Sequence, residues 1–406
     1  MTGSVKRVAM VSMDAAPDAQ PGSSAVGGMN VTIVETAREL ARRDVQVDLI
    51  ARATDGAGSH ELAPGVTVHA LHAGESTSAA HPVTTMTDEF GEAVARLSRE
   101  NDYDIIHAHH WRSGIAVLPV ALELGTPLVQ SFHSIGAMAH ETGVAPQEDR
   151  RLWSERFLAN QAEAIIASSS AEAATLIDSV GAPAKRVWVI PPGVDGSVFF
   201  TGRTEKYLSV HAFLGIDSER PIISVIGRLE PLKDQELAIR AFAELASPRP
   251  LLVLVGEPAP GHESYVGHLR RLATTLGVGA DVRFLGALVH AQVSHVFAAS
   301  AIALVPSLAE TYGLVVLEAA ASGIPVVASR TGGLMQSVVD GHTGVLVGSR
   351  EPGDWAAVIR QLLDDPARRE HLGANGHERA LGLTWAATAT SILGVYASVS
   401  AATSSR

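Results

Sequence analysis

The sequence contains no cysteine, which rules out disulfides and a thiol nucleophile. It contains no basic run either: 31 Lys and Arg stand against 43 Asp and Glu, a formal net charge of -12. A nucleic-acid binder or a polybasic membrane enzyme needs a concentrated positive field, so no nucleic-acid partner is expected. A local pocket for one or two phosphates needs only two or three cations and stays open. No stretch reaches the ~20 continuous apolar residues that span a bilayer. Met1-Thr2-Gly3-Ser4-Val5-Lys6-Arg7 runs directly into a strand-like segment rather than an apolar leader. The expectation is a cytoplasmic protein without membrane insertion. Aromatic residues are scarce, at 5%, while 46% of residues are apolar. Small side chains of this kind suit a parallel sheet covered closely by helices.

A chain of 406 residues exceeds one ordinary hydrophobic core. Short apolar runs alternate with amphipathic helices in two series, the pattern of βαβ units in an α/β protein. The first series has strand-like runs at Val8–Ser12, Val45–Ala51, Val66–Leu71, Asp104–Ala108, Pro127–Phe132, Ala164–Ala167 and Val187–Ile190. Pro191-Pro192-Gly193-Val194-Asp195-Gly196 punctuates it, and a second series begins at Ile222–Gly227 and continues through Leu251–Val255, Val282–Leu285, Ile302–Val305 and Pro325–Ala328. The expected division is residues 1–198, residues 199–384, and a C-terminal helix over 385–406 that crosses back to the first domain. Two Rossmann-like domains facing across a cleft would bind ligands beyond the carboxyl ends of their strands.

The most informative stretch is Pro306-Ser307-Leu308-Ala309-Glu310-Thr311-Tyr312-Gly313-Leu314-Val315-Val316-Leu317-Glu318. It follows a buried strand and opens a helix, so Glu310 falls in the loop and Glu318 about two turns into the helix. The helix start suits a diphosphate, because unpaired N–H groups and the dipole both favour an anion. Glu310 beside it is placed to accept from sugar hydroxyls, and Glu318 to bind a ribose diol. A pair of solvated or satisfied acids is the bland alternative. A second strand-end loop, Gly227-Arg228-Leu229-Glu230-Pro231-Leu232-Lys233-Asp234, offers a rigid guanidinium and a movable ammonium for phosphate oxygens. Its competing reading is a surface ion pair of Arg228 or Lys233 with Glu230 or Asp234.

In the first half, Gly27-Gly28 precedes a helix and permits close approach to a phosphate, though such a pair usually marks a turn. Histidines sit at strand ends: His107, His109 and His110, then His133. His107 and His109 share a strand face and His110 falls on the other, and no carboxylate spacing completes a zinc set. Neither a metal nor another cofactor is expected; hydrogen bonding to sugar or acceptor oxygens is the expected role.

Together, Gly27-Gly28-Met29-Asn30, Gly227–Lys233, Glu310–Ala319, Ser322–Ala328 and Gly332-Gly333-Leu334 resemble the retaining glycosyltransferases of family 4, over nearly the whole chain and especially its branch acting on inositol phosphate. The resemblance implies the two-lobed GT-B fold and a nucleotide-sugar donor used as substrate, UDP-linked in preference to GDP-linked, with no metal. By matching motifs, Arg228, Lys233, Glu310 and His133 would be catalytic. Gly27, Gly28, Tyr312, Gly313, Leu314, Val315 and Glu318 would join the first three at the donor. Asn30, His109, His110, Ser134, Arg150 and Arg151 would face a small-molecule acceptor, with a homodimer left open. The acceptor side departs from the branch. His110 replaces a tyrosine, Ser134 a threonine, and a lysine is missing between Ala73 and Met86. Fewer phosphate ligands point to a different small polar acceptor, as in antibiotic or thiol biosynthesis, with inositol phosphate as the runner-up and a non-catalytic sugar-nucleotide sensor as the competing class.

Overall fold

A computed structural model describes residues 5–14, 27–53, 56–74, 83–143, 149–201, 210, 212, 213 and 220–404. The chain divides into two compact units, each with its own sheet. One takes the N-terminal strand, Gly28–Pro192 and Trp385–Arg406; the other takes Gly193–Thr384.

The first unit's sheet comprises β1 (Arg7–Ser12), β2 (Gln46–Arg52), β3 (Gly58–Ala63), β4 (Val66–Leu71), β5 (Ile105–His109), β6 (Leu128–Ser131), β7 (Ala164–Ala167) and β8 (Val187–Val189). Their order is β3-β4-β2-β1-β5-β6-β7-β8, parallel throughout except for the β3–β4 pair. The side-chain period of two divides each strand between two helical layers. Ala9, Val11, Ile106 and Leu128 join one core with α2 (Val83–Glu100), α3 (Trp111–Leu124) and α5 (Asp149–Gln161), which follows α4 (Gly136–Glu141). Val8, Met10, Ile105 and Val129 join the other with Ile33, Ala37 and Leu40 of α1 (Gly28–Ala41) and with Ala389, Ile392, Val395 and Tyr396 of the C-terminal helix Trp385–Ser404. Burial on both faces explains why these strands read as unbroken apolar runs. β3 was not expected, since four of its six residues are exposed and an edge strand covering no core need not alternate.

The second unit's strands are β9 (Ile222–Ile226), β10 (Leu251–Val255), β11 (Val282–Phe284), β12 (Ser300–Val305), β13 (Val326–Ser329) and β14 (Gly344–Val347). They form an all-parallel sheet in the order β11-β10-β9-β12-β13-β14. β14, also not expected, is a four-residue edge strand beginning at glycine. After α6 (Ser170–Thr175) of the first unit, the helices continue here as α7 (Gln235–Ala243), α8 (Glu263–Thr275), α9 (His290–Ala299), α10 (Leu314–Ala321), α11 (Leu334–Ser337), α12 (Pro352–Asp364) and α13 (Pro366–Leu381); Trp385–Ser404 is α14. Leu237, Ile239 and Phe242 of α7 pack with Trp355 and Ile359 of α12 on one face. Val316, Leu317 and Ala319 of α10 pack with Phe297 of α9 on the other.

Topology fixes where ligands go. In the second unit the chain leaves β9 toward β10 on one side and β12 toward β13 on the other, so the loops after β9 and β12 part at a switch point. In the first unit β1 and β5 make the corresponding switch.

Candidate active site

Both motif loops of the second unit emerge at its switch point. The β9 loop carries Arg228, then a 3₁₀ turn, Pro231–Lys233. The β12 loop carries Ser307 to Gly313 and enters α10. The Leu308 N–H donates to the Leu232 carbonyl at 2.8 Å, tying the loops together. Lys233 is ion-paired through Nζ with Glu310 Oε1, which also accepts from Ser307 Oγ at 3.0 Å. The Glu310 carbonyl accepts the Gly333 N–H at 2.8 Å. Arg228 pairs with Glu230 at 3.1 Å and is 45% exposed, so the ion-pair alternative for it is realised. Lys233 uses neither Glu230 nor Asp234, because Asp234 is taken by Arg350 and caps α7 through Leu237 N–H.

Gly313 is the N-cap of α10 at φ 86 and ψ 74, a left-handed conformation that glycine adopts without strain, and among the described residues no side chain caps the helix. The N–H groups of that first turn, among them those of Leu314 and Val315, suit an anion. Tyr312 is buried in the core beside them. Glu318 is in the second turn, not two full turns in, since the helix begins only at Leu314. Burial raises its carboxyl above the ordinary range, and His290, whose Nε2 lies 3.6 Å away, works against that rise.

At the first unit's switch point, β1 ends beside β5 and Asp14 meets the histidines. His110 is not a strand residue facing away from His109. β5 stops at His109, and His110, at φ 73, is the N-cap of α3. His110 Nδ1 lies 2.7 Å from Asp14 Oδ2, and Arg112 Nη1 donates to Asp14 Oδ1 at 3.1 Å. Burial works to raise the Asp14 carboxyl, but these two partners outweigh it and hold it low. His109 Nδ1 is 2.8 Å from His133 Nε2. Burial, with smaller contributions from neighbouring imidazoles, lowers His107 and His133 to about 3 and His109 well below its ordinary value.

Arg151 donates to Ser134 Oγ at 2.9 Å and pairs with Glu155 at 2.7 Å, while Arg150 is exposed one residue earlier. Asn30 is buried in the first turn of α1, which opens at Gly28 just after Gly27. Most of the segment between Ala73 and Met86 lies outside the described residues.

Comparison with known proteins identifies the family and the fold. Residues 209–379 match the family model described as glycosyl transferases group 1, and residues 26–197 match glycosyltransferase family 4. A curated relative, the D-inositol 3-phosphate glycosyltransferase of Thermobifida fusca, is 36% identical over 405 residues, covering 96% of this chain and 93% of that protein. Its counterpart from Nocardiopsis dassonvillei is 37% identical, covering 96% and 94%. The chain belongs to the family 4 glycosyltransferases. Among solved structures, the sucrose-phosphate synthase of Thermosynechococcus elongatus superposes with a TM-score of 0.88 at 29% identity, covering 96% of this chain and 98% of that one. An Anabaena protein solved with UDP-glucose gives 0.80 at 23% identity, covering 96% and 98%, a likeness of fold. The transferase therefore has two Rossmann-like domains of the GT-B type. Among the described residues no helix is long and apolar enough to cross a membrane.

Sequence reasoning missed several residues of this glycosyltransferase's candidate site. Arg350 fastens the β12 loop by donating to the Pro306 carbonyl and, at 2.6 Å, to Ser329 Oγ. Its position just past the unrecognised β14 hid it. His290 stands 28 residues before Glu318 and no motif links them. Asp14 was the one with a signal: it follows β1 just as His110 follows β5.

Proposed function

We propose that this glycosyltransferase moves a hexosyl group, with retention and without a metal, from a nucleoside diphosphate sugar to a hydroxyl of an inositol phosphate. The donor half rests on one observation. Arg228, Lys233, Glu310 and Glu318 belong to two tied loops and one uncapped helix start at a single switch point. In this reading Arg228, Lys233 and the α10 N–H groups stabilise charge on the departing diphosphate, Glu310 accepts from sugar hydroxyls and Glu318 from the ribose. A UDP-linked donor is favoured over a GDP-linked one. By the motifs shared with the family, His133 is assigned to the donor sugar and Gly28 to the diphosphate.

The bond from the anomeric carbon to the phosphate oxygen breaks and the bond to the acceptor oxygen forms on the same face. The acceptor's proton passes to the departing phosphate oxygen, so the protein supplies position and charge stabilisation rather than a nucleophile.

The acceptor half follows the curated relatives, whose name states inositol 3-phosphate as substrate. None of them supports the antibiotic-tailoring role expected from the acceptor-side departures. One observation favours a second reading, an unphosphorylated polar acceptor: Asp14 engages Arg112 and Glu155 engages Arg151, so two of the nearby arginines are already matched by acids. Steady-state transfer from UDP-N-acetylglucosamine to D-inositol 3-phosphate and to inositol separates the two. Saturable turnover with the phosphate, at about tenfold or more greater kcat/KM, supports the first. Equal or inverted preference supports the second. A sensor would give neither transfer nor slow donor hydrolysis lost in Glu310→Ala.

A further inference from the structure

Beneath His133 lies a stack of buried polar rings. His107 and His109 project from the same face of β5 with ring centroids 4.1 Å apart, and the His109 and His133 rings lie 5.1 Å apart at 24°. His107 has both nitrogens engaged. Its Nδ1 is 2.6 Å from the Tyr396 hydroxyl on α14, and its Nε2 is 2.9 Å from Ser131 Oγ. His109 differs: its Nδ1 meets His133 Nε2 at 2.8 Å, while its own Nε2 is buried without a hydrogen-bond partner among the described residues.

A neutral imidazole carries one proton on one of two nitrogens, and a hydrogen bond between two imidazoles uses one proton. Two arrangements are therefore available. If His133 donates from Nε2, His109 must carry its proton on the buried Nε2, leaving an N–H with nothing to receive it. If His109 donates from Nδ1, the buried Nε2 is a bare lone pair. Orphaned buried N–H groups are the rarer and costlier defect, so the second arrangement wins. Burial keeps the rings neutral, which makes the choice binary.

We infer that His109 is a positioning residue that fixes the tautomer of His133, donating from Nδ1 so that His133 accepts at Nε2 and carries its proton on Nδ1. His107 holds the plane of His109 by packing against it, and Tyr396 holds His107, so the C-terminal helix supports the arrangement. His133, at φ 58, is turned out of the β6 direction, and the fixed tautomer makes it a neutral N–H donor on its other edge. A neutral donor can hold a sugar oxygen without placing a full cation there. This consequence rests on the proposed role of His133 toward the donor sugar; the tautomer itself does not.

The test is long-range ¹H–¹⁵N correlation of the histidine side chains in the full-length protein, with assignment by single substitution, alongside steady-state transfer. Wild type is expected to show His133 protonated at Nδ1. His109→Asn, whose amide can donate from nearly the position of Nδ1, should keep that tautomer and most of kcat. His109→Ala should release His133 into the other tautomer and lower kcat about tenfold, the value of one net hydrogen bond, with donor KM little changed. Protonation of His133 at Nε2 in the wild-type protein overturns the inference without any variant. So does an equal loss of kcat in His109→Asn and His109→Ala with the tautomer unmoved. Full transfer activity in His133→Ala would sink the assigned role of His133 and leave the tautomer result standing.

Discussion

Gly333 sits against the loop that carries Glu310, and adding one methyl group there tests whether that loop's position matters. A Cβ built on Gly333 would lie 1.9 Å from the Thr311 carbonyl oxygen, 2.4 Å from its carbon and 2.7 Å from Tyr312 Cα. All three are backbone atoms, so no side chain can swing aside. Ordinary contact begins near 3.4 Å, and the loop must retreat by about 1.5 Å to reach it. That retreat lengthens the 2.8 Å bond from Gly333 N–H to the Glu310 carbonyl and carries the Glu310 carboxylate with it. Overpacking costs about 1–3 kcal/mol and the lost bond about 1 more. A unit of this size then melts about 5–15 °C lower. A displacement of about 1 Å at a reacting centre costs about a hundredfold, so Gly333→Ala should lose at least that in kcat/KM for transfer or donor hydrolysis. Gly341→Ala is the control. Gly341 is at φ 73 with nothing within 4 Å of its added Cβ, so alanine strains the backbone and touches no loop. It should lower the melting temperature and leave kcat/KM near wild type. If Gly333→Ala retains kcat/KM within about threefold, the position of the Glu310 loop does not limit the reaction.

Replacing Lys233 with methionine should weaken nucleoside diphosphate binding about 10- to 100-fold, as expected for a charged hydrogen bond of about 1.5–3 kcal/mol, read by calorimetry; an unchanged Kd would remove Lys233 from the diphosphate site. Wild type with UDP at about a hundred times its Kd should gain about 2.7 kcal/mol of stability in a thermal shift, and no shift with any nucleoside diphosphate would defeat the donor assignment. Glu318 has a carboxyl raised above its unfolded value by burial, so its protonation favours the fold below the ordinary carboxylate range, and that contribution disappears as pH rises through the folded value. Glu318→Gln should therefore melt higher than wild type at pH 7 to 8, with the difference closing toward pH 4, while its affinity for the nucleotide drops; a melting difference that widens on acidification would contradict the sign.

Burial decided how legible the fold was. β1, β2, β5 to β7, β9, β10 and β12 lie between two helical layers, and their apolar runs announced them within a residue or two. The edge strand β3 did not announce itself, because pairing rather than burial creates it, and β14, though buried, is only four residues long and opens on glycine. The candidate site followed a similar division. Arg228, Lys233, Glu310 and Glu318 were readable because each stands at a fixed offset from a buried strand or a helix start. Their partners were not. Arg350 reaches Asp234 from 116 positions away and His290 reaches Glu318 across 28, distances over which no local pattern operates.

The acid partners bear on how a protein of net charge -12 would hold the dianionic leaving group of the proposed reaction. Each cation of the donor loops is matched locally: Arg228 by Glu230 and Lys233 by Glu310. The Arg228 pair is weak as a stabilising contact, because a half-exposed ion gains little over water. Both pairs do restrict long side chains, which would otherwise lose about 2 kcal/mol of rotamer freedom each on meeting a ligand. In the proposed reading the diphosphate takes over cations that are already oriented, and the carboxylate it displaces from Lys233 is Glu310, the group assigned to the sugar hydroxyls. The exchange keeps a polar partner at both ends, since Lys233 turns to phosphate as Glu310 turns to the sugar hydroxyls. A lone lysine at this position would attract the nucleotide as well but would leave Glu310 without the partner that now fixes its carboxylate at the mouth of the β12 loop.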